Sequence, residues 1–334
     1  MTIETYERQK NREQEPAPSF VLSWDIELLM DSLCAEKAWK LPTAETFDRA
    51  KSKLVGALSA AFGDTPAVVI EGADIAKGIN DAAVTLKTQN IPMVTMDPIY
   101  GTTIADYALN TTRGINEDGS IEEISRPGYP KISIQLEALS QALNGSRNVC
   151  LVDAGAYSGQ SMQTIIESMR QRNIIVDTVI LGIATAEAER SLLNYGIRPI
   201  IVNNIRTPID WIEARDFIPF IPLCGRVINE PFLPGKLSRA LPYLLPEGNP
   251  LDWASIPKGK DIEISKAGWK TSEILFKGLE EQNGMSLNIA DLIDLPIRIS
   301  YPGEIIPTAT GVLDIIREKM QMVQYRSYEP VNES

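Results

Sequence analysis

The sequence predicts an α/β protein built on a mainly parallel sheet flanked by helices. Three observations predict it. Short apolar runs of strand length recur at 67–70, 91–96, 149–152, 178–183 and 199–202. They are nearly continuous rather than alternating, as expected of strands covered on both faces. Between them lie segments with helical spacing, and strands that alternate with helices pair in parallel through crossover connections.

In chain order, the polar, charged stretch 1–19 is expected to be a disordered tail, since it has no apolar run to bury. Residues 20–64 are expected to form a helical extension. Ile26, Leu29, Met30 and Leu33 make one helical stripe, and Phe47, Ala50, Leu54 and Leu58 make another after Pro42-Thr43. Residues 65–205 are expected to form the α/β core. The run 67–70 leads into Glu71-Gly72-Ala73-Asp74, then a helix with Ile79, Ala82, Ala83 and Leu86 on one face, then the strand 91–96. This βαβ pattern predicts two parallel strands of one sheet. Asn116-Glu117-Asp118-Gly119 is an Asp-Gly hairpin signal between strand-like segments, which predicts a projecting, flexible hairpin. Leu136, Leu139 and Leu143 mark the helix before the strand 149–152. Residues 206–334 form the remaining segment. Its prolines at 231, 234, 242, 246, 250 and 257 predict a long capping region, with helices returning at 273–282 and 312–323.

Composition excludes several chemistries. With 334 residues, 44% hydrophobic and 23% charged, the chain is long and apolar enough for a substantial core. It has no histidine, so His-based triads and His metal sites are excluded. The net charge of −12, without a dense Lys/Arg cluster, and an aromatic content of 7% disfavour nucleic acid as a partner. Cys34, Cys150 and Cys224 are too scattered for a metal motif and suit a reducing compartment. There is no apolar leader and no run of membrane-spanning length, so no membrane partner and a cytoplasmic location are expected.

The chemistry concentrates at 149–161. Asp153 stands at the carboxyl end of a buried strand, where open α/β sheets bind ligands. The small-residue loop from Ala154 to Ser161 then enters a helix carrying Met162, Ile165, Ile166 and Met169 at i, i+3, i+4 and i+7. Strand, small polar loop and helix make an anion cradle of loop N–H groups and the positive helix end. Gly155 and Gly159 permit tight turning and close approach. Ser158 and Ser161 add hydroxyl donors, or cap the helix. Asp97 follows the strand 91–96. Asp210, Trp211 and Asp216 follow the last clear strand, as pocket or packing residues.

This segment resembles the phosphoribosyl-pyrophosphate (PRPP) signature of type I phosphoribosyltransferases: an apolar strand, two acids, a short run, then Thr/Ser-Gly-x-Thr/Ser. Asp153 falls on the first acid and Ser158-Gly159-Gln160-Ser161 on the phosphate turn, while Ala154 stands where the second acid is expected. The order of elements over residues 66–205 is also similar. The resemblance implies a type I phosphoribosyltransferase-like fold with a flexible hairpin over 105–131 and a hood after 205. It implies a glycosyltransferase acting at ribose C1 of PRPP or a phosphoribosyl nucleotide, with Mg2+. Asp153 would orient ribose and contact the metal indirectly; Gly155, Ala156, Tyr157, Ser158, Gly159, Gln160 and Ser161 would hold the 5′-phosphate. Glu71, Gly72, Ala73 and Asp74 would be the diphosphate loop, with positive charge from Arg113 or Lys131. A small-molecule phosphoribosyl substrate, a nitrogen acceptor and a homodimer are the implied partners.

Two other functions fit the same residues. Asp153, Gly155 and Gly159 also match an S-adenosylmethionine fingerprint, Asp-x-Gly-x-Gly-x-Gly, but Tyr157 replaces its middle glycine. Ala154 and the acidic 71–74 loop suit a non-catalytic nucleotide sensor or scaffold on the same fold.

Overall fold

A computed structural model describes residues 18–116, 120–145, 147–229, 237–292, 298–299, 304–305 and 309–326. The expected tail, up to residue 17, and the hairpin turn 117–119 lie outside the described residues. The protein is α/β, with mainly parallel sheets flanked by helices.

Two parallel sheets organise it. The first has three strands: β1 (Ser19–Trp24) lies between β2 (Ala67–Glu71) and β10 (Pro208–Glu213), parallel to both. The second has five, in the order β4 (Tyr107–Ala108), β3 (Met93–Thr95), β7 (Asn148–Ala156), β8 (Ile175–Thr185), β9 (Arg198–Ile205), every pair parallel. Helix α3 (Gly72–Lys87) covers one face of this sheet. The other face carries α4 (Ile132–Ala142), α5 (Gln160–Arg170) and α6 (Ala186–Asn194). Strand β7 serves both faces: Val149 and Leu151 point to α4 and α5, while Cys150 and Val152 point to α3. Hence the unbroken apolar run. The α5 stripe is as expected, with Met162, Ile165, Ile166 and Met169 all buried. Each contributes roughly 1.5–3 kcal/mol by leaving water.

Strand β1 differs from expectation. The segment 20–64 is helical only from Ile26, in α1 (Ile26–Lys37) and α2 (Ala44–Phe62), and it begins with a fully buried central strand. That strand changes the expected βαβ unit. β2 pairs with β1, so β2 and β3 belong to different sheets and α3 links the two.

The hairpin forms as predicted, with β5 (Thr111–Ile115) antiparallel to β6 (Ile121–Ser125), but it does not project alone. The open edge of β5 takes β11 (Arg226–Asn229) in parallel, and β11 takes β12 (Leu237–Ala240) in antiparallel pairing. These strands satisfy backbone groups that a free edge would leave unpaired. The region after 205 therefore completes both the hairpin sheet and, through β10, the β1 sheet. It also supplies a short α7 (Pro250–Trp253), the long α8 (Asp261–Asn283), a short α9 (Ile289–Leu292) and α10 (Val312–Arg326). Helices α1, α2, α8 and α10 share a core with β1, around Phe20, Leu22 and Trp24. All three cysteines are buried and form no disulfide among the described residues, and among these no helix is long and apolar enough to cross a membrane.

Candidate functional site

The carboxyl ends of the two parallel sheets open onto one cleft of about 610 Å³. The five-stranded sheet contributes Asp97 after β3 and Asp153 on β7. The three-stranded sheet contributes Glu213 at the end of β10 and Arg215 and Asp216 just after it, with Asp25, which follows β1, behind them. The hairpin contributes Arg113, Glu123 and Arg126.

Asp97 is held rigidly. One oxygen, Oδ2, accepts the N–H groups of Ile99 and Gly101, each at 3.0 Å, and that of Tyr100. Its Oδ1 is buried with no partner among the described residues. Burial raises its pKa, against the pull of those N–H donors.

Asp153 lines the cleft, but it lies within β7, which runs on to Ala156, rather than at the strand end that the sequence suggests. Its Oδ1 accepts its neighbour Ala154 N–H at 2.9 Å. Burial, and then the charge of Asp97, push its pKa up to about 8, so it is largely protonated at neutral pH. Two buried carboxyl groups facing one space, each with its pKa raised, suit a site that awaits positive charge.

The phosphate loop is shorter than expected. β8 runs on to Thr185 and offers β7 partners through Ala156, so Ala154, Gly155 and Ala156 are strand rather than loop. Only Tyr157, Ser158 and Gly159 form the turn, and Gln160 and Ser161 already belong to α5. Gly159 takes the left-handed conformation (φ 78°) that lets chain direction reverse into the helix. Gly155 serves packing: a Cβ there would lie 2.4 Å from the Ile183 carbonyl oxygen and 2.4 Å from the Trp211 ring. The Ser158 hydroxyl accepts the Gln160 N–H at 3.4 Å, and Thr185 holds the Tyr157 carbonyl. The first turn of α5 contains no acidic residue of its own and opens on the cleft.

Arg126 crosses from the hairpin. It donates to the Met96 carbonyl at 3.2 Å, and its Nε is buried without a partner among the described residues. Burial, then the positive charge of Arg215, lower its pKa, while Asp97, Asp153 and Glu123 support its charge. Arg113 is exposed and faces the same cleft.

Below lies a buried ionic floor. Arg215 bridges Asp25 and Glu213. Asp216 holds Arg226 in a two-pronged pair at 2.9 and 3.0 Å, and Arg226 also donates to the Tyr243 hydroxyl at 2.8 Å. Burial pushes Asp25 up to about 7 despite Arg215. Glu213 is equally buried, yet Arg215 and Arg226 outweigh that and hold it below its ordinary value.

Asp210, Trp211 and Asp216 line the cleft, as the sequence suggested. Glu71, Gly72, Ala73 and Asp74 do not. Glu71 ends β2, an edge strand of the other sheet, and Gly72, Ala73 and Asp74 open α3. Glu71 pairs with Lys51 at 2.8 Å, and Gly72 is pressed against the Trp24 carbonyl, so the expected diphosphate loop is a structural joint. Lys131 precedes α4 and also lies outside the lining, leaving Arg113 and Arg126 as the hairpin cations. Sequence reasoning missed Asp25, Glu123, Glu213, Arg215 and Arg226. Asp25 carried a signal: the run 20–24 ending in Asp has the same form as 149–152 ending in Asp153.

No group of three or more Asp, Glu, Cys or His among the described residues could by itself hold a metal ion. Asp97 and Asp153 offer two hard-oxygen ligands, one oxygen unpartnered. That donor set fits Mg2+, which takes one or two carboxylates and completes its shell with water and substrate phosphate.

The chain matches no protein-family profile and no curated protein. Among solved structures it is similar to a hypothetical protein from Neisseria gonorrhoeae with bound ppGpp, at 18% identity and TM-score 0.32, over 43% of this chain and 84% of that one. It is similar to orotate phosphoribosyltransferase from Aeropyrum pernix, at 14% identity and TM-score 0.21, over 46% of this chain and 70% of that one. It is also similar to Leishmania donovani UMP synthase, at 14% identity and TM-score 0.26, over 46% of this chain and 36% of that one.

Proposed function

We propose that this protein binds PRPP or a phosphoribosyl nucleotide with Mg2+ and transfers or releases the group at ribose C1. One observation carries the proposal. Asp153 on β7, the Tyr157–Gly159 turn and the open N-terminus of α5 line one wall of a cleft that Arg113 and Arg126 roof.

The roles follow from placement. The turn N–H groups, Ser158 and Ser161 bind the 5′-phosphate. Asp153 accepts hydrogen bonds from the ribose hydroxyls. Asp97, on the neighbouring strand end, supplies the second carboxylate that Ala154 withholds. Mg2+, held by Asp97 and Asp153 and by substrate oxygens, would neutralise charge building on diphosphate. Arg126 and Arg113 add fixed positive charge on the same side. The C1–O bond breaks with its electron pair leaving on diphosphate, and the acceptor's lone pair forms the new bond at C1. Positioning and electrostatics suffice for this, and no histidine is needed. Gly155 argues against S-adenosylmethionine, because Trp211 fills the space its missing side chain leaves. Ala154 leaves open binding without turnover, as in a sensor.

Calorimetric titration with PRPP, with and without Mg2+, tests the proposal. Micromolar binding that needs Mg2+ and weakens at least tenfold in Asp153→Asn is expected, a loss of about 1.4 kcal/mol or more. Binding of S-adenosylmethionine but not PRPP would overturn it. Release of diphosphate or ribose phosphate then separates an enzyme from a sensor.

A further inference from the structure

Trp211 lies across the seam between the two parallel sheets and is held at both ends. Its Nε1–H donates to the Ser23 hydroxyl on β1 at 3.3 Å. The far edge of its six-membered ring lies over Gly155 on β7, so close that a Cβ on that glycine would meet it at 2.4 Å. The ring packs on the core beneath α3, and its remaining surface is open to the cleft. The backbone behind it is fixed as well. Asp210 accepts the Trp211 N–H at 2.8 Å with one oxygen and the Ser255 N–H at 2.7 Å with the other. That second bond ties β10 to the segment carrying Trp253, whose ring stands 6.1 Å from the ring of Tyr243. Tyr157, the first residue past β7 and two positions on from Gly155, is 44% exposed and lines the same cleft. The chain is only 7% aromatic, yet Tyr157, Trp211, Tyr243 and Trp253 all line this one space, so the rings are concentrated there beyond what composition supplies. Their polar neighbours are already engaged: Trp211 Nε1 serves Ser23, both Asp210 oxygens serve backbone N–H groups, and the Tyr243 hydroxyl accepts from Arg226 at 2.8 Å. What Trp211 offers the cleft is therefore ring surface.

We propose that Trp211 and Tyr157 form a stacking subsite for a flat heteroaromatic ring, taken by its face and not by its hydrogen-bonding edge. The proposal names the ring-bearing partner of the same cleft and rests on that cleft being the ligand site proposed above. Stacking on aromatic side chains tolerates different ring substituents, because every such ring has a π face. An indole fixed at both ends has little side-chain freedom left to lose when a ligand arrives. Affinity at a subsite of this kind follows stacked area. A two-ring heterocycle therefore binds more tightly than a one-ring heterocycle, and a sugar with no aromatic ring gains nothing from it.

Calorimetric titration with adenosine, uridine and ribose, which share the sugar and differ in the ring, tests it in the native protein, Tyr157→Ala, Tyr157→Phe, Trp211→Leu and Tyr129→Ala. Tyr129 is the control, an exposed cleft residue on the segment that follows β6. Adenosine is expected to bind more tightly than uridine, and ribose not to bind. Tyr157→Ala is expected to weaken adenosine about tenfold, the size of one lost stacking contact. Tyr157→Phe, which keeps the ring, and Tyr129→Ala are expected to match the native protein. Adenosine is also expected to quench tryptophan fluorescence in the native protein and not in Trp211→Leu. Tyr157 is exposed, so its variants keep the test open even where Trp211→Leu fails to fold. No adenosine binding, equal adenosine affinity in the native protein and Tyr157→Ala, an equal loss in Tyr129→Ala, or ribose binding as tightly as adenosine overturns the subsite. If adenosine shows the expected pattern and PRPP with Mg2+ does not bind, the stacking subsite stands and the PRPP proposal falls. If PRPP binds with Mg2+ and no nucleoside affinity depends on Tyr157, the reverse holds.

Discussion

Asp153 burdens the ligand-free protein. Its folded pKa, about 8, lies above the ordinary carboxyl value of 3.8. Between roughly pH 4 and pH 8 the unfolded chain loses this proton while the native chain keeps it, so the group's contribution to stability falls as pH rises through that window and levels off above it. Asp153→Asn removes the cost. At pH 8 it is expected to raise unfolding free energy by about 1–3 kcal/mol, the cost of burying a poorly compensated polar group, even as it weakens PRPP binding. Urea denaturation at pH 5 and pH 8 checks this; a gain that is no larger at pH 8 than at pH 5 would remove the physical basis. Stability surrendered at one residue in exchange for binding is a usual mark of a functional position. Asp153 was legible because a lone acid ended an uninterrupted apolar run. Arg215 and Glu213 were not, because their meaning lies in Asp25, which is 190 residues away from Arg215 in sequence.

The strand–turn–helix element was legible in outline and misread in detail. The helical spacing of Met162, Ile165, Ile166 and Met169 fixed α5, but nothing local said that β8 would extend far enough to hold residues 154–156 in the sheet. The two glycines therefore differ. Gly155→Ala puts a methyl group 2.4 Å from backbone and from Trp211, and is expected to cost about 1–3 kcal/mol, as overpacking does. Gly159→Ala meets its nearest atom at 3.6 Å and bears only left-handed strain, about 1 kcal/mol. Denaturation midpoints rank them, and a shift in tryptophan fluorescence is expected for Gly155→Ala alone. An equal cost at both positions would mean that residue 155 still behaves as loop. Helix α8 shows a similar limit. It starts at Asp261 rather than near 273, because its buried face includes Ser265, Gly268, Thr271 and Ser272. Small residues let it lie close to its neighbours, Thr271 reaching the Ala50 carbonyl on α2 at 3.4 Å and Ser272 the Pro219 carbonyl at 3.1 Å, and they interrupt the apolar stripe that would have marked it.

At the scale of the whole molecule, the expected boundaries near 65 and 205 cross hydrogen-bonded strands. β1, β2 and β10 come one from each expected segment, and the hairpin borrows β11 from the last. Sequence patterns report burial along a segment, and say little about which distant segment does the burying. A fragment of residues 65–205 is expected to lack a cooperative urea transition, since β2 and β5 would each expose an unpaired edge. A sharp two-state transition with native-like near-ultraviolet dichroism would contradict this.

The cleft between two sheet ends also has a consequence for synthesis. Its β7–α5 wall needs β8 as far as Thr185, its ionic floor needs Arg215 and Arg226, and Tyr243 closes the far side. A chain still emerging from the ribosome would hold the turn and the roof hairpin without β10 or β11 to seat them. A ligand of the cleft cannot assist the early stages of such vectorial folding, because it stabilises only states that bind it. Binding is thus a property of the finished chain, and a pool of this protein that takes up ligand has passed its own check on completion.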